Sequence, residues 1–93
     1  MTTKADIVRN IASILGVEAP KMSTGSTEPR EIFEIVNERL GLGLDRRLTK
    51  PDMARQIVEA AGLTWNAHHE SNGGTVTKVG LEAVMRAVEH FVG

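Results

Sequence analysis
The sequence predicts an all-α domain of four helices, built as two duplicated helix-loop-helix units with pseudo-twofold packing. Three observations lead there. Apolar residues recur at helical spacing in four stretches, each opened by capping residues, and the first three are closed by glycine. Residues 3–16, TKADIVRNIASILG, align without gaps to residues 49–62, TKPDMARQIVEAAG, with six of fourteen positions identical. A short hydroxyl- and glycine-rich loop follows each of these segments, Ser23-Thr24-Gly25-Ser26-Thr27 in the first half and Ser71-Asn72-Gly73-Gly74-Thr75 in the second.

In the first helix, Ile7, Ile11 and Ile14 fall at i, i+4 and i+7, flanked by Val8 and Leu15. Thr3 is the expected N-cap, with Asp6 three residues on as a short-armed capping box, and Gly16 is the expected left-handed C-cap. Val17 to Ser26 reads as loop. The second helix is expected from about Glu28 to Leu40. Pro29 stands in its first turn, acidic Glu28 and Glu31 suit its positive end, and Ile32, Phe33, Val36 and Leu40 face inward. Gly41 stops it. The connector 41–48 is short, and its leucines point to a packed connection.

Thr49 is the expected N-cap of the third helix, about Lys50 to Ala61, with Pro51 in the first turn and Asp52 three residues after the cap. Met53, Ile57 and Ala60/Ala61 face inward, and Gly62 ends it. Leu63 to Gly74 is the longest irregular stretch. Thr75-Val76-Thr77 suits a very short extended segment. The last helix is expected from about Lys78 to Phe91, burying Ala83, Val84, Ala87, Val88 and Phe91. Gly80 weakens its start unless another backbone packs closely there. The second helices match mainly in pattern, Phe33 with Leu81, Val36 with Val84, Leu40 with Val88 and Arg30 with Lys78. The repeats therefore run over 3–41 and 49–91 of a single domain spanning 1–93. Trp65, whose counterpart is Ala19, is expected to plug one edge of the core.

Ninety-three residues, 41% hydrophobic and 25% charged, suit one globular domain. With no cysteine, a disulfide framework and a thiolate metal site are excluded, which fits a cytoplasmic origin. Polar Thr2, Thr3 and Lys4 follow Met1 and no apolar run reaches spanning length, so neither a signal peptide nor a membrane association is expected. The net charge of −1 lowers the expectation of a stand-alone, tight DNA binder, although charge can be segregated by face.

The two loops carry the functional expectation. Amides at the start of the second and fourth helices would point at phosphate oxygens, with Ser26, Thr27, Thr75 and Thr77 adding hydroxyl donors and Arg30 and Lys78 adding charge. The competing reading is capping, which needs one hydroxyl where each loop supplies several. Neither loop is a Walker A or dinucleotide fingerprint. Arg46, Arg47 and Lys50 cluster at the connector, and Lys4, Lys50, Arg9 and Arg55 occupy matching places. Together they form either a basic surface for a sugar-phosphate backbone or a solvated face balanced by Glu31, Glu34, Asp45 and Asp52. His68-His69-Glu70 reads as a polar loop. Adjacent histidines in an extended loop point opposite ways, no third ligand has suitable spacing and His90 is isolated, so neither metal nor cofactor is expected. No catalytic grouping stands out.

The stretches STGSTEPREIFEIVNERLGL, and KPDMARQIVEAAGLTW followed by SNGGTVTKVGLEAV, resemble small helical modules in the non-catalytic parts of restriction-endonuclease-like bacterial proteins. The resemblance implies an accessory DNA-binding domain of a restriction-modification protein whose nuclease centre lies in another segment. An ending at Phe91-Val92-Gly93 would suit a fragment cut before such a domain. The acidic-and-lysine pattern of a nuclease is missing, so catalysis is not carried over. The expectation is a non-catalytic DNA-binding module using Ser23, Thr24, Gly25, Ser26, Thr27, Arg30, Ser71, Asn72, Gly73, Gly74, Thr75, Thr77 and Lys78, with Arg46, Arg47 and Lys50. The alternatives are a protein-interaction or dimerisation module centred on Trp65, and a small-anion or nucleotide site in one loop.

Overall fold
A computed structural model describes residues 3–21, 28–70 and 74–93. Among the described residues four helices follow one another: α1 (Lys4–Leu15), α2 (Arg30–Leu40), α3 (Lys50–Ala60) and α4 (Lys78–Val92), with a 3₁₀ turn at Ala67–His69. Among the described residues there is no strand. The extended piece expected at 75–77 is reduced to one antiparallel bridge between Glu70 and Val76.

Local chemistry sets the helix ends. Thr3 Oγ1 accepts from the Asp6 amide while Asp6 Oδ2 accepts from the Thr3 amide, a reciprocal capping box. Thr49 and Thr77 cap α3 and α4 from one side only, their hydroxyls accepting from Asp52 N and Gly80 N. Gly16 and Gly41 close α1 and α2 in the left-handed region, at φ 70° and 63°. Three boundaries shift from expectation. Pro29 is the N-cap of α2, with extended backbone, and the helix starts at Arg30. Ala61 caps α3, so Gly62 lies one residue beyond the cap. The last helix runs one residue past Phe91, to Val92.

The core joins Ile7, Val8 and Ile11 of α1, Ile32, Phe33 and Val36 of α2, and Met53, Ala54, Ile57 and Val58 of α3. Leu81, Ala83, Val84, Ala87 and Val88 of α4, with Ala61 and Val76, complete it. Burying each of the larger side chains contributes about 1.5–3 kcal/mol. α4 is the central element, packing most extensively on α1 and then on α3, while α2 touches both α1 and α3. The connector leucines Leu42, Leu44 and Leu48 pack against this core. Asn37 holds the connector by a paired bond, its side chain accepting from Leu44 N at 2.8 Å and donating to Leu44 O at 3.3 Å. Two expected inward positions face out. Phe91 is exposed because α4 extends past its packing partners there, and Ala60 is exposed at the last turn of α3, where Ala61 takes the buried place.

Trp65 is half-buried against the core, as expected. Its indole Nε1 donates to Glu70 Oε2 at 2.8 Å, and its ring lies 4.8 Å from that of His69. Gly80 has the close neighbour its position requires. A Cβ there would fall on the His69 carbonyl oxygen and lie 2.6 Å from Val76 Cγ1.

Candidate nucleic-acid interface
Glu28 organises this end of the molecule. It immediately follows the first Ser/Gly/Thr loop, and it is 1% exposed. Lys4, the first residue of α1, donates to Glu28 Oε2 at 3.1 Å. Lys50, the first residue of α3, lies 3.6 Å from Oε1 and donates to the Glu28 carbonyl at 3.1 Å. The Val76 amide, two residues ahead of α4, donates to Oε1 at 2.7 Å. Glu28 itself precedes α2 by two residues. The starts of all four helices therefore meet at one carboxylate, each presenting the positive end of its peptide dipole. Two ammonium groups and a backbone amide offset the desolvation of the carboxylate, which would be prohibitive without partners.

This geometry corrects the expected basic surface. Lys4 and Lys50, the matching lysines of the aligned segments, turn inward to Glu28, with side chains only 21% and 20% exposed. Sequence reasoning placed Glu28 as a dipole partner of one helix and missed its role in tying four starts together. The available signal was a pair of lysines at equivalent helix starts whose neighbouring acids, Asp6 and Asp52, are taken by Arg9 and Arg55.

The other predicted residues divide by what already engages them. Arg30 donates to the Arg46 carbonyl and lies 3.6 Å from Glu34, so α2 is tied to the connector turn. Arg46 is exposed, and Arg47 is 92% exposed beside Asp45. Lys78 is half-buried at the start of α4. Thr77 is spent on structure. Its hydroxyl accepts from Gly80 N and donates to the His68 carbonyl at 2.9 Å, so it is no spare phosphate donor. Gly74 is exposed with φ 74°, and Thr75 is half-buried. Ser23, Thr24, Gly25, Ser26, Thr27, Ser71, Asn72 and Gly73 lie outside the described residues. What is described is where those loops lead. The residues just after them, Glu28 and Val76, are bonded to each other. Arg9 and Arg55 pair along their own helices with Asp6 and Asp52.

The histidines also differ from expectation. The 3₁₀ turn brings the rings of His68 and His69 to 4.7 Å, where an extended loop would have sent them to opposite sides. His69 is buried, and its Nδ1 accepts from the Asn66 amide at 2.8 Å, which leaves the proton of the neutral ring on Nε2. Burial, then His68 and Arg86, hold its pKa below the ordinary 6.5. In the window between that depressed value and 6.5 the unfolded chain binds more protons at this site. Stability is therefore level above pH 6.5 and declines as pH falls through that window. The aspartates held low, Asp6 by the Thr3 amide and Asp45 by the Arg47 amide, lose their contribution only below 3.8. Urea unfolding at pH 7.5, 6.5 and 5.0 is expected to give stabilities that differ by less than about 0.4 kcal/mol between the first two and fall further at the third. Replacing His69 with glutamine should flatten the series.

Among the described residues no group of three His, Asp or Glu side chains is placed to hold a metal ion, and no helix is long and apolar enough to cross a membrane. Compared with known proteins, the chain matches no family model, no curated protein and no solved structure.

Proposed function
We propose that this domain is a non-catalytic DNA-binding accessory module that grips backbone phosphates at the end where its four helix starts meet. One observation carries the reading most of all. The 2.7 Å bond from Val76 N to Glu28 Oε1 joins the residues that follow the two Ser/Gly/Thr loops, so both loops feed the same end of the fold. That end carries helix dipoles of one sign and an outer set of cations, Arg30, Arg46, Arg47 and Lys78, positions that can meet a sugar-phosphate backbone. The inner cations answer Glu28; in the outer set Arg30 and Arg47 lie beside Glu34 and Asp45 in solvent-exposed pairs, which a phosphate would have to displace.

The same reading takes the domain as two duplicated units. The aligned lysines Lys4 and Lys50 converge on one carboxylate, and Glu28 accepts from Val76, its own counterpart when Arg30 is matched to Lys78. Such self-pairing of equivalent positions is what a pseudo-twofold axis through this point would produce. A Trp65-centred docking surface is less well supported, since the indole is tied to Glu70 and packed against His69.

An amide chemical-shift titration with duplex DNA at low salt is the direct test. Residues 23–27, 71–75, Arg30, Arg46, Arg47 and Lys78 are expected to shift, with affinity in the non-specific range of about 10⁻⁴–10⁻⁶ M at physiological salt. Substituting Arg30 and Lys78 together with glutamine should weaken binding for every sequence and lower the salt slope by about two phosphate contacts. If neither loop responds while the fold stays intact, the reading is wrong.

A further inference from the structure
We propose that His69 is a pH-operated latch whose protonation releases the Trp65–Glu70 segment from the first turn of α4 while the four-helix core stays folded. The latch has three fastenings. The His69 ring is buried between Trp65 and His68 and accepts the Asn66 amide at Nδ1. Its carbonyl accepts the Thr77 amide at 3.0 Å and sits against Gly80, where only a glycine leaves room. The neighbouring His68 carbonyl accepts the Thr77 hydroxyl. His69 thus braces the segment through its side chain and joins it to the start of α4 through its backbone carbonyl.

A proton at Nδ1 turns the acceptor into a donor that faces the Asn66 amide, so the bond is lost and two donors oppose each other. The imidazolium would also be buried without a counter-ion. His68 on its own turn and Arg86 from α4 are the groups that act on it, and neither stabilises a positive charge. Glu70, the adjacent carboxylate, is engaged by the Trp65 indole. Moving the ring into water relieves both costs and takes the His69 carbonyl away from Thr77. The opening stops at Val76, because Val76 is fully buried in the core and its amide belongs to Glu28.

Adjacent amides therefore report opposite behaviour. Amide exchange and imidazole shifts would be followed in the 93-residue chain from pH 7.5 to 4.5. Protection factors of Asn66 and Thr77 are expected to fall about tenfold or more, with the midpoint of His69's own titration, while those of Val76, Ile57 and Val84 change less than about twofold. In His69→Gln, whose side chain does not titrate, the pH dependence should vanish. The proposal is overturned if Thr77 protection stays constant through the His69 titration, or if Val76 and the core amides lose protection in parallel with it. Persistence of the response in His69→Gln would also overturn it. Should that variant not fold, the wild-type contrast between Thr77 and Val76 decides.

Discussion

Replacing Glu28 with alanine is expected to cost about 3–4 kcal/mol of unfolding free energy, measured by urea or thermal unfolding. The variant leaves the Val76 amide buried with no acceptor, which alone costs about 1–3 kcal/mol. It also leaves two ammonium groups facing each other at a point where four helix dipoles already present positive ends. The estimate stays at the lower part of the range for a broken buried pair because Lys4 and Lys50 keep about a fifth of their side chains in water and can turn outward. For a domain of this size the change corresponds to a fall in Tm of more than about 12 °C. Glutamine at the same position keeps an oxygen for Val76 but no charge for the lysines, so it should lose about half as much. A loss below about 1 kcal/mol for alanine would show that the lysines and water rearrange to replace the carboxylate, and that Glu28 does not hold the helix starts together.

Gly80→Ala should destabilise the domain by about 2 kcal/mol or more, against the usual direction for a helix interior. Helix propensity alone favours alanine by about 1 kcal/mol. The added methyl group would collide with the His69 backbone carbonyl and with Val76, so the backbone of the 3₁₀ turn would have to shift to admit it. Overpacking of this kind costs about 1–3 kcal/mol, or more when the neighbour is backbone. The displaced group would be the 3₁₀ turn, so loss of the Trp65 indole bond to Glu70 should accompany the drop in stability. A stabilised Gly80→Ala variant would mean that the turn is free to retreat.

The four helices were legible because their determinants are local. Thr3, Thr49 and Thr77 each satisfy an amide three residues away, and Gly16 and Gly41 each take a backbone shape that other residues adopt at a cost. The apolar spacing placed Ile7, Ile11, Phe33, Met53, Ile57 and Val84 in the core for the same reason, since a helix face is set by residues within one or two turns. Phe91 and Ala60 were misplaced because burial at a helix end depends on where the neighbouring helix stops. The need for close packing at Gly80 was legible from glycine at a helix start. The partner at Gly80 was not, because it is a carbonyl 11 residues upstream in another element.

By itself the sequence determined the helices, their caps, the glycine stops and the inward faces, because those depend on interactions within a few residues. Only the tertiary structure decided what the charged residues do. Lys4, Lys50 and Val76 reach Glu28 across separations of 24, 22 and 48 residues, and no local rule tells a lysine at a helix start whether to face solvent or a buried carboxylate. The answer depends on whether burial removes the competing water, and that depends on all four helix starts arriving at one place.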